Sequence, residues 1–409
     1  MLGIDFPRGR LGERDMTGNI RERVKGSGRW TIQWYLGRDR LTGKKRFGCK
    51  TIKGKKEAQA ELTRIIHEMD KKTYVEPSKM GMEEYLISWL RDYAITHVAG
   101  STYERYSGIV HQHLIPAFAG LSIADLQPIH VQEYYAQAQK SGRVKQSLKR
   151  GQVKQRGLSS RSVQQHHAVL RKAIKCAVRL GLVGRNVCDM VDPPRVTYTE
   201  RRVFTEEEIH LLLQHTDGML HQKEREDQRP IPWGPIILLA ASTGMRLGET
   251  LALTWSDFNP AAGAVSVEKS LEQTRSGVKP KAPKSDRGKR NIPIPENAVN
   301  RLLVYKEQLE AAGLVRISSP ICPDEHGEYL KPDSVSSRFR DLVKKAGVSE
   351  IGFHSIRHAH ATILANRGFG PKVIQERLGH STIAITMDIY AHVLPTTQQD
   401  AADSIGDVF

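Results

Sequence analysis

The sequence predicts a multidomain α+β protein. Its expected parts are a small N-terminal three-strand sheet plus a helix, a helical domain and a mixed α/β domain. A chain of 409 residues exceeds one ordinary hydrophobic core. Apolar residues alternate with polar ones near the N-terminus, helical spacing dominates the middle, and both patterns occur after Phe204. We therefore expect boundaries at 1–72, 80–191 and 204–394, with a C-terminal tail at 395–409.

The composition favours a polyanionic partner. Lys and Arg number 62 against 45 acidic residues, a formal net charge of +17. The longest apolar runs fall far short of the roughly 20 residues of a membrane span. The N-terminus lacks the apolar segment of a signal peptide, and the four cysteines lack the CxxC spacing of a zinc module. We expect a protein of the reducing cytosol, with no membrane partner and no disulfide framework.

Alternation in the first part predicts strands at 20–24 and 30–36, and a turn at 39–43 leads to a third strand with Phe47 and Cys49. Apolar spacing from Lys55 to Lys71 predicts a helix that covers the sheet. The many Lys and Arg residues on the outward side are compatible with a β-ribbon in a DNA major groove. A solvated charged face is the alternative.

The second part reads as helical, beginning with an apolar stripe from Met82 to Tyr93. A capping box at 101–104 opens another helix, and Pro128 opens a third. Ser160 is expected to cap a helix over 161–180, which Gly181 ends. Between Lys140 and Arg161 the chain is basic without an acidic residue, which predicts either an arm that contacts phosphates or a linker.

The third part begins with a capping box at 205–208 and a helix through Leu213. A buried helical run at 235–241 breaks at Thr243-Gly244, just before Arg246. The remaining expectations are a surface loop at 221–230, strands at 265–267 and 291–294, a basic turn-rich segment at 279–290 and helices after Asn297.

Three pairs of charged or titratable residues in this part have helical spacing. Arg246 stands at a helix start, with Glu249 three residues on and able to orient the guanidinium. A structural Arg–Glu pair has the same spacing. His354 and Arg357 also share a helix face, and His354 with His358 has the i, i+4 spacing of a metal pair, but no third ligand follows.

The last segment ends in a tyrosine. Gly379 is expected to end a helix, and His380 lies just beyond it. Ser381 is expected to cap a last helix, on which Ile383, Met387 and Tyr390 share a face. Taken alone, Tyr390 is better interpreted as a core residue.

Six of these residues together resemble the tyrosine recombinases, specifically the integrases of temperate phages and integrative elements. The resemblance covers about 204–392 and rests on Arg246, Lys284, His354, Arg357, His380 and Tyr390. Lys284 lies in PKSDRGKRNIPIP, a stretch similar to that family's lysine-bearing β-hairpin. Less specific similarity identifies 80–191 as a core-binding domain and 1–72 as an arm-site-binding domain.

The resemblance implies a site-specific DNA recombinase that integrates or excises a mobile element. Tyr390 would be the nucleophile of a 3′-phosphotyrosine intermediate, and Arg246 and Arg357 would hold the phosphate. Lys284 would act as general acid, His354 and His380 would assist, and Glu249 would support Arg246. Neither a cofactor nor a metal is expected.

The implied partner is double-stranded DNA, with core and arm attachment sites, in the nucleoid of the cytoplasm. A homotetramer is implied on DNA, with the C-terminal tail docked on a neighbouring protomer. A directionality factor or a host DNA-bending protein would be an accessory. The alternatives are a type IB topoisomerase or telomere resolvase, which use the same chemistry, and a catalytically silent DNA-binding regulator.

Overall fold

The structure is a computed structural model that falls into two compact units, 1–197 and 198–409, each considered by itself. For residues 388–390 the description covers the backbone alone. The described ranges are 18–39, 42–71, 74–76, 78–143, 157–197, 202–217, 230–283, 288–315, 318–390, 402–403 and 405–406.

The first unit starts with an antiparallel sheet of strands β1 (Gly18–Glu22), β2 (Arg29–Arg38) and β3 (Lys45–Lys53), in the order β1-β2-β3. Helix α1 (Lys55–Asp70) packs on it. The buried residues Ile32, Trp34, Ala58, Leu62 and Ile65 form a small core between sheet and helix. The predicted three-strand sheet plus helix is confirmed.

The rest of the first unit is helical, with a separate core built on Tyr85, Leu86, Leu114, Tyr135 and Leu170. Its helices are α2 (Met82–Ser88), α3 (Ile95–His97), α4 (Gly100–Ile109), α5 (Ile115–Ala117), α6 (Pro128–Ser141) and α7 (Ser160–Arg179), with π-helical turns at Trp89–Ala94 and Val110–Leu114 and a 3₁₀ turn at Val187–Met190.

Two cap predictions in this region were wrong. The Tyr103 N–H already bonds to the Ala99 carbonyl, so α4 starts at Gly100 and Ser101 lies inside its first turn. The cap of α7 is Ser159, whose Oγ accepts the Ser162 N–H at 3.2 Å. Most of the predicted basic arm, residues 144–156, lies outside the described residues.

The second unit is mixed, as predicted. Its strands are β4 (Phe258–Asn259), β5 (Ala264–Val267), β6 (Ser270–Thr274), β7 (Gly277–Lys281) and β8 (Arg290–Pro293). Strands β4, β5 and β8 form one antiparallel sheet, and β6 with β7 forms a hairpin. The helices are α8 (Glu206–His215), α9 (Trp233–Thr243), α10 (Leu247–Ala252), α11 (Glu296–Ala311), α12 (Pro332–Lys345), α13 (His354–Asn366), α14 (Pro371–Leu378) and α15 (Ala384–Tyr390), with a 3₁₀ turn at Trp255–Asp257.

The basic segment 279–290 was expected to be turn-rich, and this expectation was wrong for its first residues. Residues 279–281 instead belong to β7, which the turn at 275–276 lays against β6. The stretch PKSDRGKRNIPIP contains β8 (Arg290–Pro293), which pairs with β5 and not with β7, the strand before it. The predicted surface loop at 221–230 lies outside the description except for Pro230.

The core of the second unit is one large cluster around α9. Residues Trp233, Ile236, Ile237 and Leu239 of that helix are almost completely buried. The capping box at Thr205 and Glu208 is confirmed, with the Thr205 N–H bonded to Glu208 Oε2 at 3.0 Å. Over the described ranges, every helix is too short or too polar to cross a membrane.

Candidate active site

Arg246 lies at the N-terminus of α10, directly after a sharp reversal of the chain. Gly244 ends α9 with φ 67°, and a Cβ there would lie 2.5 Å from Leu378 Cδ2 and 2.7 Å from His360 Cδ2. Only glycine therefore meets both the backbone and the packing requirement. The close approach brings α14 and α13 against the segment that carries Arg246.

Arg246 and Glu249 form the predicted pair. Arg246 Nη1 donates to Glu249 Oε1 at 2.8 Å, and the Arg246 backbone N–H donates to Oε2 at 3.0 Å. The Arg246 side chain is 44% exposed, whereas that of Glu249 is 5% exposed. The carboxylate thus holds one edge of a guanidinium that remains open to solvent.

Arg357, on the first turn of α13, is buried at 4% exposure. Its Nη1 donates to the Gly244 carbonyl and its Nη2 to the Leu378 carbonyl, each at 2.8 Å. Burial, followed by the positive charge of Arg246, lowers the pKa of Arg357 to about 9. The side chain therefore ties together the segments that carry Arg246 and His380, at a position that favours a bound anion.

His380 follows the stop of α14, where Gly379 adopts φ 66° as predicted. The imidazole is 6% exposed, and its Nδ1 contacts Thr386 Oγ1 at 2.9 Å. Burial, followed by the charges of Arg357 and Arg246, lowers the pKa of His380 to about 3. The ring is consequently neutral at pH 7.

His354 is the first residue of α13 and lies three residues before Arg357 on the same helix. Its side chain is exposed, whereas that of Arg357 is buried. Its ring meets that of His358 edge to face, with centroids 4.7 Å apart. Such an arrangement is favourable between rings and accounts for the i, i+4 spacing of the two histidines.

Two predicted site residues are not placed. Lys284 lies outside the described residues, and Tyr390 ends α15 with its backbone alone described. Their roles stay predictions. α15 begins three residues after the predicted cap residue Ser381, at Ala384, and its first turn bonds to the Ile383 carbonyl.

The sequence analysis did not identify three further residues of the site, which are Arg290, Arg377 and His360. Arg290 donates to Glu249 Oε2 at 2.8 Å, and Arg377 donates to His360 Nε2 at 3.0 Å. Alternation could have revealed Arg290, which is in phase with the buried Ile292 on β8 and shares its inward face. A cation at such a position needs a buried anion or carbonyl partner.

The arrangement as a whole suits an anionic ligand. Arg246, Arg290 and Arg357 surround a single carboxylate, Glu249. Burial alone would raise the pKa of Glu249, but Arg290 and Arg246 outweigh it and lower the pKa. A neutral histidine next to the partly exposed guanidinium group of Arg246 can donate a hydrogen bond to a phosphate.

Two protein-family models and several known proteins match this chain. Residues 202–397 match the model of the phage integrase family, and residues 82–137 match the N-terminal SAM-like domain of phage integrases. A XerC-like tyrosine recombinase of Caldanaerobacter subterraneus subsp. tengcongensis is 25% identical over 401 residues, or 91% of this chain and 95% of that protein. A putative prophage phiRv2 integrase of Mycobacterium tuberculosis is 25% identical over 400 residues, or 95% of each chain.

Solved structures share the fold. A Tn1549 transposon integrase in complex with a circular intermediate DNA has a TM-score of 0.63 at 20% identity, covering 80% of this chain and 99% of that one. A lambda integrase tetramer bound to a Holliday junction has a TM-score of 0.53 at 18% identity, covering 92% of this chain and 96% of that one. The family match spans the domain that holds the arginine cluster, and relatives align over almost the whole chain; the protein belongs to the tyrosine recombinases of the phage integrase family.

Proposed function

We propose that the protein cleaves and rejoins DNA through a 3′-phosphotyrosine on Tyr390, and thereby integrates or excises a mobile element. Family membership makes the chain a site-specific recombinase, and the proposal assigns the chemistry to single residues. One observation carries it: the Gly244 carbonyl, two residues before Arg246, accepts a hydrogen bond from Arg357 at 2.8 Å. Two guanidinium groups are thereby coupled at one site.

The two arginines would bind the scissile phosphate. Negative charge on the phosphate oxygens grows in the transition state, and preorganised guanidinium donors stabilise it. The nearby positive charges that lower the pKa of Arg357 also favour an anion there. Because the arginines supply this charge themselves, the proposed chemistry needs no divalent metal.

In the proposed step, the Tyr390 phenol oxygen attacks phosphorus and gives its proton to one of the two site histidines, His354 or His380, while the bond to the 5′ oxygen breaks. Lys284 would protonate the departing oxygen, giving a 5′-hydroxyl. Attack of a 5′-hydroxyl from the other DNA site on the phosphotyrosine reverses these steps and rejoins the strands. The phosphotyrosine conserves the bond energy, so rejoining needs no ATP.

The histidines would assist this exchange. His380 is neutral at pH 7 and uses Nδ1 toward Thr386, which orients the ring. His354 stands at the N-terminal end of α13, where the helix dipole favours an anion.

Double-stranded DNA is the proposed partner. The net charge of +17 supports it, as do the integrases solved in complex with DNA. The domain at 80–191 would bind core sites and the domain at 1–72 would bind arm sites. Four protomers would act together, as the lambda integrase tetramer on a Holliday junction suggests. A directionality factor or DNA-bending protein, a nucleoid location in the cytoplasm and docking of the tail at 395–409 belong to the same proposal.

A nicked suicide substrate tests the assignment. Wild-type protein should form a covalent complex that survives SDS, also in excess EDTA, and Tyr390→Phe should form none. Tyr329→Phe, at a half-buried tyrosine of the same unit, is the matched control and should trap DNA normally. Equal trapping by Tyr390→Phe and wild type would reject the nucleophile, and a strict metal requirement would reject the metal-free step. Relaxation of supercoiled DNA that lacks an attachment site would indicate a topoisomerase instead.

A further inference from the structure

Arg290 is a buried arginine on β8, and the described structure gives three of its nitrogens a hydrogen-bond acceptor. Its side chain is 7% exposed. Nη2 donates to Glu249 Oε2 at 2.8 Å, Nε donates to the Arg377 carbonyl at 2.8 Å, and Nη1 donates to the Gly288 carbonyl at 3.1 Å. One guanidinium therefore joins α10, the end of α14 and its own strand.

The first of these contacts reaches Arg246 through Glu249. Glu249 uses Oε1 for Arg246 Nη1, while Oε2 accepts both the Arg246 N–H and Arg290 Nη2. Arg290 thus adds a third hydrogen bond to this carboxylate, from β8. Without it, the carboxylate would keep only its two contacts with Arg246 itself, and the half-exposed Arg246 would be held less firmly.

The second contact reaches Arg357 through the main chain. The Arg377 carbonyl that accepts Arg290 Nε directly precedes the Leu378 carbonyl that accepts Arg357 Nη2. The Arg377 side chain holds the same segment from another direction, with Nη2 bonded to the Ser242 carbonyl at 2.7 Å. Arg290 thereby helps to set the position of an acceptor that anchors Arg357.

We infer that Arg290 is a positioning residue for both phosphate-binding arginines, acting on Arg246 through Glu249 and on Arg357 through the 377–378 backbone. The inference rests on the proposed roles of Arg246 and Arg357. Stability alone is a poor reason for such a group, because buried ion pairs are often no more stabilising than apolar side chains of similar volume. A fork-shaped cation with several fixed donors is suited to orienting groups on different elements.

Loss of Arg290 should introduce a pH dependence that a packing defect would not. Burial raises the pKa of Glu249 and the arginines lower it, so removal of Arg290 shifts that pKa upward. Below the raised pKa, Glu249 takes up a proton and no longer holds Arg246 as an ion pair. The variant should therefore lose more activity at low pH and regain part of it as the pH rises.

The test compares full-length wild type, Arg290→Gln, Glu249→Gln and the double variant on a nicked core-site duplex from pH 6 to 9. Dissociation constants and single-turnover cleavage rates at saturating protein are measured separately. Arg290→Gln should cleave about 10-fold to 100-fold more slowly, because small displacements of catalytic groups have effects of that size. DNA affinity should stay within about threefold of wild type, since the contacts that track the DNA backbone are untouched. The matched control is Arg301→Gln, which removes an ion pair with Asp217 at 2.7 Å in the same unit and should leave both quantities unchanged.

The inference is supported if Arg290→Gln loses less of the cleavage rate at high pH than at low pH, and if this pH dependence disappears in the double variant with Glu249→Gln. A wild-type rate for Arg290→Gln, or a pH-independent loss that simply adds to that of Glu249→Gln, would overturn it. If Arg290→Gln does not fold, Arg290→Lys takes its place, since it keeps the charge but not the fork. A wild-type rate in Arg290→Lys would overturn the inference, and a slower rate at unchanged melting temperature would support it. Failure of wild type to form a covalent adduct would instead reject the proposed function.

Discussion

Glu249 holds Arg246 by two contacts, one from each carboxylate oxygen, at 2.8 Å to Nη1 and 3.0 Å to the backbone N–H. The second contact also caps α10, so the same carboxylate fixes the helix start and the guanidinium. Arg246 is thus oriented by a carboxylate three residues away, which Arg290 also holds and which is almost completely shielded from water.

Glu249→Gln should lower the single-turnover cleavage rate about 10-fold or more, because an amide cannot keep both acceptor oxygens toward cationic donors. Glu249→Ala should also lower the free energy of unfolding by about 3 kcal/mol, since it leaves Arg290 buried without its counter-charge. Cleavage assays and urea denaturation measure the two effects. Glu310→Gln, in an exposed pair with Lys306, is the control and should change neither, whereas full activity of Glu249→Gln would contradict a role for this carboxylate.

Arg357→Lys should reduce cleavage about 100-fold or more while DNA binding persists, because removal of one transition-state donor costs that much. An ammonium group cannot reach the Gly244 and Leu378 carbonyls and still present a planar fork to a phosphate. Covalent trapping and gel-shift assays separate cleavage from binding. The control, Arg367→Lys, lies just after α13 in an exposed ion pair with Glu206. If Arg357→Lys and Arg367→Lys reduced cleavage and DNA binding to the same degree, Arg357 would have no specific function in cleavage.

The second unit should lose stability below pH 6.5 partly through His360. Burial lowers the pKa of His360 to about 4 from the ordinary 6.5. The unfolded chain therefore takes up a proton as the pH falls below 6.5, while the folded state resists it until about pH 4. Stability due to the neutral ring is full above 6.5 and decreases as the pH falls, by up to about 3 kcal/mol.

Denaturation of wild type and His360→Gln at pH 7.5, 6 and 5 measures this contribution. Wild type should be more stable at pH 7.5, because His360 joins the Ala241 carbonyl and Arg377. The difference in unfolding free energy should shrink toward pH 5, since only wild type carries the titrating ring. A difference that stays constant with pH would show that the folded and unfolded states protonate His360 alike.

Deletion of residues 1–72 should abolish arm-site binding and leave core-site binding measurable. The sheet and α1 have a hydrophobic core of their own, and Lys45, Arg46, Lys50 and Lys53 are exposed on β3. Loss of these cations removes phosphate contacts and should flatten the salt dependence of arm binding. Gel shifts with separate arm and core duplexes measure both. Arm binding equal to that of the full chain would refute the role of this domain.

Local chemistry in the sequence was enough to place much of the site. The i, i+3 spacing of Arg246 and Glu249 predicts their pairing, because such residues are neighbours on a helix. Gly379 marks the end of α14 and so places His380 just beyond it, and the box at Thr205 and Glu208 marks the start of α8. Each of these features depends on contacts within a few residues.

Tertiary structure decided how deep each group lies and what it contacts. Arg357 bonds to a carbonyl 113 residues earlier and to another 21 residues later, and Arg290 reaches a carboxylate 41 residues away. His354 and Arg357 are three residues apart on one helix, and yet His354 is exposed and Arg357 is buried. Sequence spacing specifies a face of a helix, but the partner of a buried cation depends on which distant carbonyls the packing brings to it. The sequence by itself predicted which residues carry the chemistry, including Lys284 and Tyr390, whereas packing over long separations determined how Arg290, Glu249, Arg246 and Arg357 are joined.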